Sequence, residues 1–378
     1  MLRFSLVQRI VGVAAFAALA CGDPSAADDR ADGDGDGDGT SADDDGGGQV
    51  GHTTRRDSTD PNDDGDDSPT DVGADGATVS STDGGESDDG SDGGDQDPLD
   101  GMGTVEMVGG GFGFAEGPVW SPQLGALLFT DIPADAILCF DPVTDDIVPF
   151  IQGTGAYTNG LDLDALGNLL MCEGGHRRVT RQPLHGSIAV LVETWSGTPF
   201  NAPNDIATHA SGSIFFTDPT YGATADLGGS PPVLDFQGVY RIGPDDDVTL
   251  VDDTLEQPNG VVVSPDGATL YVADTPSRVV VAYPLDEDGV PGPGTPVFEV
   301  EGGGDGMTID EDGNLYVASA DGIEVWRGDG SDRWGTIPMP DVPTNCAFGG
   351  DDLRDLYVTL PTQLLRVRLA VPGIENAS

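Results

Sequence analysis

Short hydrophobic runs separated by Gly-containing turns fill the chain from residue 102 to residue 373, and they repeat. Six times, a polar residue is followed by a small or apolar step, a brief apolar strand, a turn with Gly and a second hydrophobic strand. The repeats begin at Glu116, Asn159, Asn204, Asn259, Asp305 and Asn345, at spacings of 43, 45, 55, 46 and 40 residues. A strand-built repeat of that length is the signature of a β-propeller blade. In the second repeat, Asn159-Gly160 leads into Leu161–Leu163, Gly167-Asn168 makes the turn and Leu169–Cys172 is the next strand. The third gives Ile206–Thr208 and Ile214–Phe216, the fourth Val261–Val263 and Leu270–Val272, the fifth Met307–Ile309 and Leu315–Val317. Gly in the turn supplies a positive φ. Runs that are apolar on both faces suit sheets stacked against sheets. The more polar segments that follow, such as Arg178–Arg181, Gly238–Arg241 and Val279–Tyr283, suit the outer strands of a four-stranded blade. The pattern predicts an all-β, six-bladed propeller over residues 102–373 with almost no helix. Thr104–Val108, left over before the first repeat, is expected to pair with Leu364–Leu369, so that both ends of the domain close one blade.

Equivalent positions on the innermost strands of a propeller converge on one central channel. That position carries Glu116, Asn159, Asn204, Asn259, Asp305 and Asn345. Oxygen-bearing side chains aimed at one axis point to a metal site. Asn-Gly is also a strong hairpin-turn dipeptide, which gives Asn159 and Asn259 a simpler reading. Against it, each repeat has its hairpin turn further along, at its own Gly, and the slot accepts Glu and Asp as readily as Asn.

The chain before residue 102 lacks this pattern. Arg3 and Arg9 with the apolar run Ile10–Ala20 make residues 1–21 an export signal, too short to span a bilayer comfortably. It ends Ala18-Leu19-Ala20-Cys21, which resembles a bacterial lipoprotein box. The expectation is an exported lipoprotein held by lipid at Cys21 and, with Gly22 following, displayed on the outer membrane or cell surface. A cleaved periplasmic or secreted form is the alternative. Residues 22–101 are mostly Asp, Gly, Ser and Thr, and so cannot bury enough apolar surface to offset chain entropy; a disordered acidic linker is expected. The formal net charge is −52, and the chain contains no Lys. These exclude a Schiff-base lysine and a basic nucleic-acid footprint, and fit a soluble, self-repelling monomer. Cys139, Cys172 and Cys346 sit in or beside apolar runs and read as buried thiols, with a Cys139–Cys172 bridge as the alternative.

The repeats carry motifs that resemble the gluconolactonase/regucalcin family of six-bladed propellers. They are Ala115-Glu116-Gly117-Pro118-Val119-Trp120, Pro203-Asn204-Asp205, Phe216-Thr217-Asp218-Pro219-Thr220-Tyr221-Gly222, Pro258-Asn259-Gly260-Val261, Asp305-Gly306-Met307 and Thr344-Asn345-Cys346-Ala347-Phe348-Gly349-Gly350. The resemblance implies one divalent cation in the channel and hydrolysis of a cyclic ester, a lactone. It places Glu116, Asn259 and Asp305 at the metal-ligand positions and Asn204 where substrate, bound water or the metal itself is contacted. A hard, oxygen-only set of this kind suits Ca2+, Mg2+ or Mn2+ better than Zn2+, with Ca2+ favoured. A cation with open positions polarises the carbonyl and lowers the pKa of water. Asp305 is then the candidate proton acceptor, with Asn204 beside the reacting atoms. The sequence departs from the family at two places. Ala202 stands where the vertebrate branch has an Arg that grips the sugar acid, and Glu173-Gly174-Gly175-His176 replaces a Glu-His-Gly run.

The remaining candidates lie near the channel mouth. His176, Asn159, Asp218 and Tyr221 are candidate substrate contacts. An exposed loop is the simpler expectation for His176, and an Asx-turn closing its strand the simpler one for Asp218. Arg177 is read either as a carboxylate contact or as part of a solvated blade edge. No G-x-S-x-G elbow occurs, which disfavours a serine hydrolase. Three functions remain: a metal-dependent lactonase, a phosphotriesterase using the same metal set, and a surface propeller that binds without catalysis.

Overall fold

The computed structural model describes residues 96–184, 186–224 and 229–374. The export signal, Cys21 and nearly all of the acidic linker lie outside the described residues. The rest forms six four-stranded antiparallel sheets, and the described residues include no helix. Blades 1 to 5 occupy residues 115–152, 158–192, 206–252, 258–299 and 307–337, and each runs through its four strands in chain order. Blade 6 takes three strands from residues 345–368 and its outermost strand, Glu106–Gly110, from the start of the domain. That strand pairs with Gln363–Arg368, Glu106 opposite Arg366 and Gly110 opposite Gln363, with a bulge between Met107 and Gly109. The closure expected from the leftover segment is present, shifted about two residues along the chain.

The innermost strands are Ala115–Ser121, Thr158–Leu163, Ile206–Thr208, Pro258–Val263, Met307–Ile309 and Asn345–Gly349. The second strands are buried on both faces: Ala126–Asp131 and Asn314–Ser319 expose nothing. Their side chains enter cores that lie between blades. One core joins Leu128 and Cys139 of blade 1 to Leu163 and Met171 of blade 2, and another joins Cys172 of blade 2 to Phe216 and Tyr240 of blade 3. The series continues round the ring until Trp120 and Phe129 of blade 1 meet Tyr357 and Leu364 of blade 6. Each blade is stable only between two neighbours, which is why the hydrophobic pattern is two-sided. Cys139, Cys172 and Cys346 are free and buried in three different inter-blade cores, so the alternative of a Cys139–Cys172 bridge is not realised.

Glycines serve the repeats in two ways. Gly167, Gly212, Gly267 and Gly313 have φ between 71° and 88° and make the hairpin turns the pattern assigned to them. Gly160, Gly260 and Gly306, which follow the polar slot, are not in the left-handed region. A Cβ on Gly160 would lie 2.5 Å from the Asn204 carbonyl oxygen, and one on Gly260 would lie 2.3 Å from that of Asp305. These glycines let adjacent inner strands touch around the axis, so the hairpin-turn reading of Asn159 and Asn259 does not hold. One element has no counterpart in the pattern: a two-stranded hairpin, Thr194–Trp195 with Thr198–Pro199, which sets Trp195 against Tyr240.

Candidate active site

A ring of contacts locks the six slots together. Gly160 N donates to the Asn204 carbonyl (2.7 Å) and Gly260 N to the Asp305 carbonyl (3.1 Å). Thr130 Oγ1 donates to the Asn159 carbonyl (3.1 Å) and Thr217 Oγ1 to that of Asn259 (2.8 Å). With the backbone bonded to the next blade, the slot side chains are free to face the channel.

Five of the six do so at one end. Glu116, Asn159, Asn204, Asn259 and Asp305 line a cavity of about 330 Å³, closed around its mouth by Phe114, Ile132, Tyr157, Ala202 and Tyr221. The sixth, Asn345, lines a smaller cavity of about 110 Å³ at the opposite end. Its side chain hydrogen-bonds Glu116 and accepts from Cys346 N (2.8 Å), so it supports the site from below.

Burial pushes the Glu116 carboxyl well above the ordinary carboxylate range, and the charge of Asp305 adds to the shift. The opposing contributions are smaller: Gly117 N donates to Oε2 at 3.0 Å, and Asn345 also bonds the group. Burial likewise pushes Asp305 up to about 7, against hydrogen bonds from the Asn259 side chain and Gly306 N. The cavity lining contains no Arg, Lys or His to balance this acid pair. Buried carboxylates need a compensating charge or a proton. Two carboxylates with the amide oxygens of Asn204 and Asn259 form a hard donor set that fits a divalent cation of the calcium or magnesium type. No group of three or more His, Cys, Asp or Glu side chains is placed to share a metal ion among the described residues. A cation here would therefore depend on the two amides.

The other candidates are placed as follows. Tyr221 lines the cavity and its hydroxyl hydrogen-bonds Thr275. Asp218 is fully buried beneath the wall. Its carboxylate accepts from Asn201 N and Ala202 N, both at 2.8 Å, and so fixes the turn that delivers Asn204. His176 does not line the cavity; its Nδ1 is 2.7 Å from Glu173 Oε2 and its ring is partly exposed. Arg177 donates from Nε to the Phe200 carbonyl and from Nη1 to the Pro231 carbonyl, and so straps two loops together.

Sequence reasoning missed two buried acids. Asp205 accepts from Ile206 N (3.0 Å) and Val261 N (3.3 Å), crossing from blade 3 to blade 4. Burial pushes it up to about 7. Its signal was present: Asp stands where Asn159, Asn259 and Asp305 are followed by Gly. Glu173 accepts from Arg178 Nε and Thr180 Oγ1, each at 2.7 Å, and gathers the polar groups behind Gly174.

Comparison with known proteins identifies the family. The SMP-30/Gluconolactonase/LRE-like region matches residues 114–362. A gluconolactonase of Zymomonas mobilis is 30% identical over 299 residues, covering 73% of this chain and 84% of its own. A pentonolactonase of Haloferax volcanii is 28% identical over 273 residues, covering 65% and 80%. Among solved structures, a gluconolactonase from Xanthomonas campestris superposes with a TM-score of 0.66 at 31% identity, covering 70% of this chain and 89% of that one. The match over residues 114–362 and the similarity to a gluconolactonase along most of both chains place the chain in the SMP-30/gluconolactonase/LRE-like family of lactonase-type hydrolases.

Proposed function

We propose that the protein is a divalent-metal-dependent lactonase. The observation that carries this reading is the pair Glu116 and Asp305, set with Asn204 and Asn259 around one cavity and lacking any cationic side chain to balance them. Glu116, Asn204, Asn259 and Asp305 would hold the cation, with Ca2+ the favoured occupant. When bound, such a cation supplies Lewis-acid polarisation of an ester carbonyl and favours ionisation of water.

The chain's own residues do the rest. Asn345 and Gly117 N hold the Glu116 carboxylate in place, and Asn259 and Gly306 N hold that of Asp305. Asp305 is the proton acceptor for the attacking water at a carboxylate oxygen not occupied by Asn259. Asn204, fixed through Asn204 N to the Thr217 carbonyl (2.8 Å), orients the ester carbonyl with its amide. Tyr157 and Tyr221 flank the ring and exclude water.

A panel of lactones and one phosphotriester, assayed with and without chelator, tests this. Chelator-sensitive opening of at least one lactone is expected. Cleavage confined to the phosphotriester would make the protein a phosphotriesterase, and no cleavage would leave a binding propeller. The sequence before the domain supports a further proposal, that the enzyme is exported and anchored by lipid at Cys21. Cys21→Ala should release it from the membrane fraction.

A further inference from the structure

The cavity wall is apolar where a sugar lactone would need partners. Phe114, Ile132, Tyr157 and Tyr221 line it, yet none of them belongs to any of the six inter-blade cores. Ile132 is only 5% exposed and lines the cavity outside those six clusters. Tyr157 sits at φ 43°, a conformation that bulky residues rarely adopt, and is held there by Tyr157 N donating to Asp135 Oδ1 (2.9 Å). The fold keeps a strained backbone to present an aromatic ring at this wall.

Beyond the four residues of the proposed metal set, the polar side chains of the lining are Asn159, Thr275 and the hydroxyl-tipped rings of Tyr157 and Tyr221. Thr275 Oγ1 is already donated to the Gly304 carbonyl (2.7 Å), and the Tyr221 hydroxyl is engaged with Thr275. Gly174, Ala202 and Gly222 present no polar side chain. An aromatic ring suits one apolar face of a sugar. The hydroxyls of a polyhydroxylated lactone would nevertheless enter this cavity with Asn159 as the one uncommitted amide outside the metal set. A hydroxyl buried without a partner is costly, and a methylene buried on rings is favourable.

We infer that the substrate is a lactone whose ring carries an alkyl or aryl substituent, in preference to a polyhydroxylated aldonolactone. This rests on the lactonase reading and narrows it to a substrate class.

The test compares gluconolactone with a six-membered lactone bearing a five-carbon alkyl chain, each corrected for spontaneous opening, using the calcium-loaded protein. The alkyl lactone should have the higher kcat/KM by at least about tenfold, within the range that a few hydrophobic contacts provide. Values within tenfold of each other, or in favour of gluconolactone, overturn this inference and leave the lactonase reading standing. The corresponding lactams, which resist hydrolysis, separate the two claims. In titration calorimetry with chelator present, the alkyl lactam should bind more tightly and with a negative heat-capacity change, the mark of apolar burial. Equal or weaker binding overturns the inference even if no lactone is turned over. Phe114→Ser should raise KM for the alkyl lactone about tenfold with a smaller change in kcat, and Phe114→Leu should restore it. An unchanged KM in Phe114→Ser would count against the inference.

Discussion

At the scale of single residues, the site separates groups that bear charge from groups that set distance. Asp305→Asn keeps an oxygen on the wall and removes the proton acceptor. Calcium binding, read by calorimetry, should survive while lactone hydrolysis falls ~10²–10⁴-fold, the usual worth of a general base. Hydrolysis at the parent rate would make Asp305 a ligand alone. Glu116→Ala should instead lose calcium binding and hydrolysis together, because the fully buried carboxylate that offsets the cation is gone. Gly160 acts purely through distance. A methyl group there would press on the Asn204 carbonyl at 2.5 Å and on Asp205 Oδ1 at 2.7 Å. Gly160→Ala should therefore cost about 1–3 kcal/mol, a fall in Tm of roughly 5 °C, and should also lower turnover by moving Asn204. A parent-like Tm and activity would mean that the inner strands can part without consequence.

At the scale of elements, the blade grammar was legible because its physics is local. Met307–Ile309 coincides with the strand found, and Arg178–Arg181 and Val279–Tyr283 differ from theirs by one residue. Turn glycines and two-sided apolar runs carry that information without reference to the rest of the molecule. The fourth strands were less visible. Asp146–Gln152 and Thr295–Glu299 are half exposed and mix polar with apolar positions, since only one neighbour covers them. The polar slots were legible as a set, but Asn345 was not separable from the rest. Its different end of the channel depends on how its strand leans against Glu116, a relation that no spacing encodes. Asp218 and His176 show the same boundary. Asp218 ends the strand Ile214–Asp218 and His176 lies in a turn, and each side chain's partner, Ala202 N or Glu173, decides which way it faces. The closing strand Glu106–Gly110 offers a test at this scale. A domain beginning at Phe112 should melt well below one beginning at residue 96 and should aggregate as concentration rises, because the Gln363–Arg368 edge is left unpaired. Identical melting and solubility would show that the ring closes without it.

At the scale of the molecule, buried acids gather around the axis of a strongly acidic protein. Asp205 and Asp305 are pushed up to about 7, and Asp162, beside the smaller cavity, and Asp218 are shifted to the same value, each chiefly by burial. Their unfolded value is near 3.8, so the folded state binds these protons more tightly than the unfolded state does. Stability from such groups is fully present below the unfolded value and is lost as pH rises through about 7. The metal-free domain should therefore melt several degrees lower at pH 8 than at pH 6. Calcium should reverse the trend, since a bound cation favours the ionised forms of Glu116 and Asp305 and competes with their protons. Thermal melts at both pH values, in chelator and in calcium, read both effects. Asp162→Asn removes one of the carboxyls raised to about 7 without touching the proposed metal set, so it should flatten the chelated curve and leave the calcium increment intact. A metal-free protein that is more stable at pH 8 would mean that these acids are ionised and satisfied by the fold itself, leaving the cation no charge to balance.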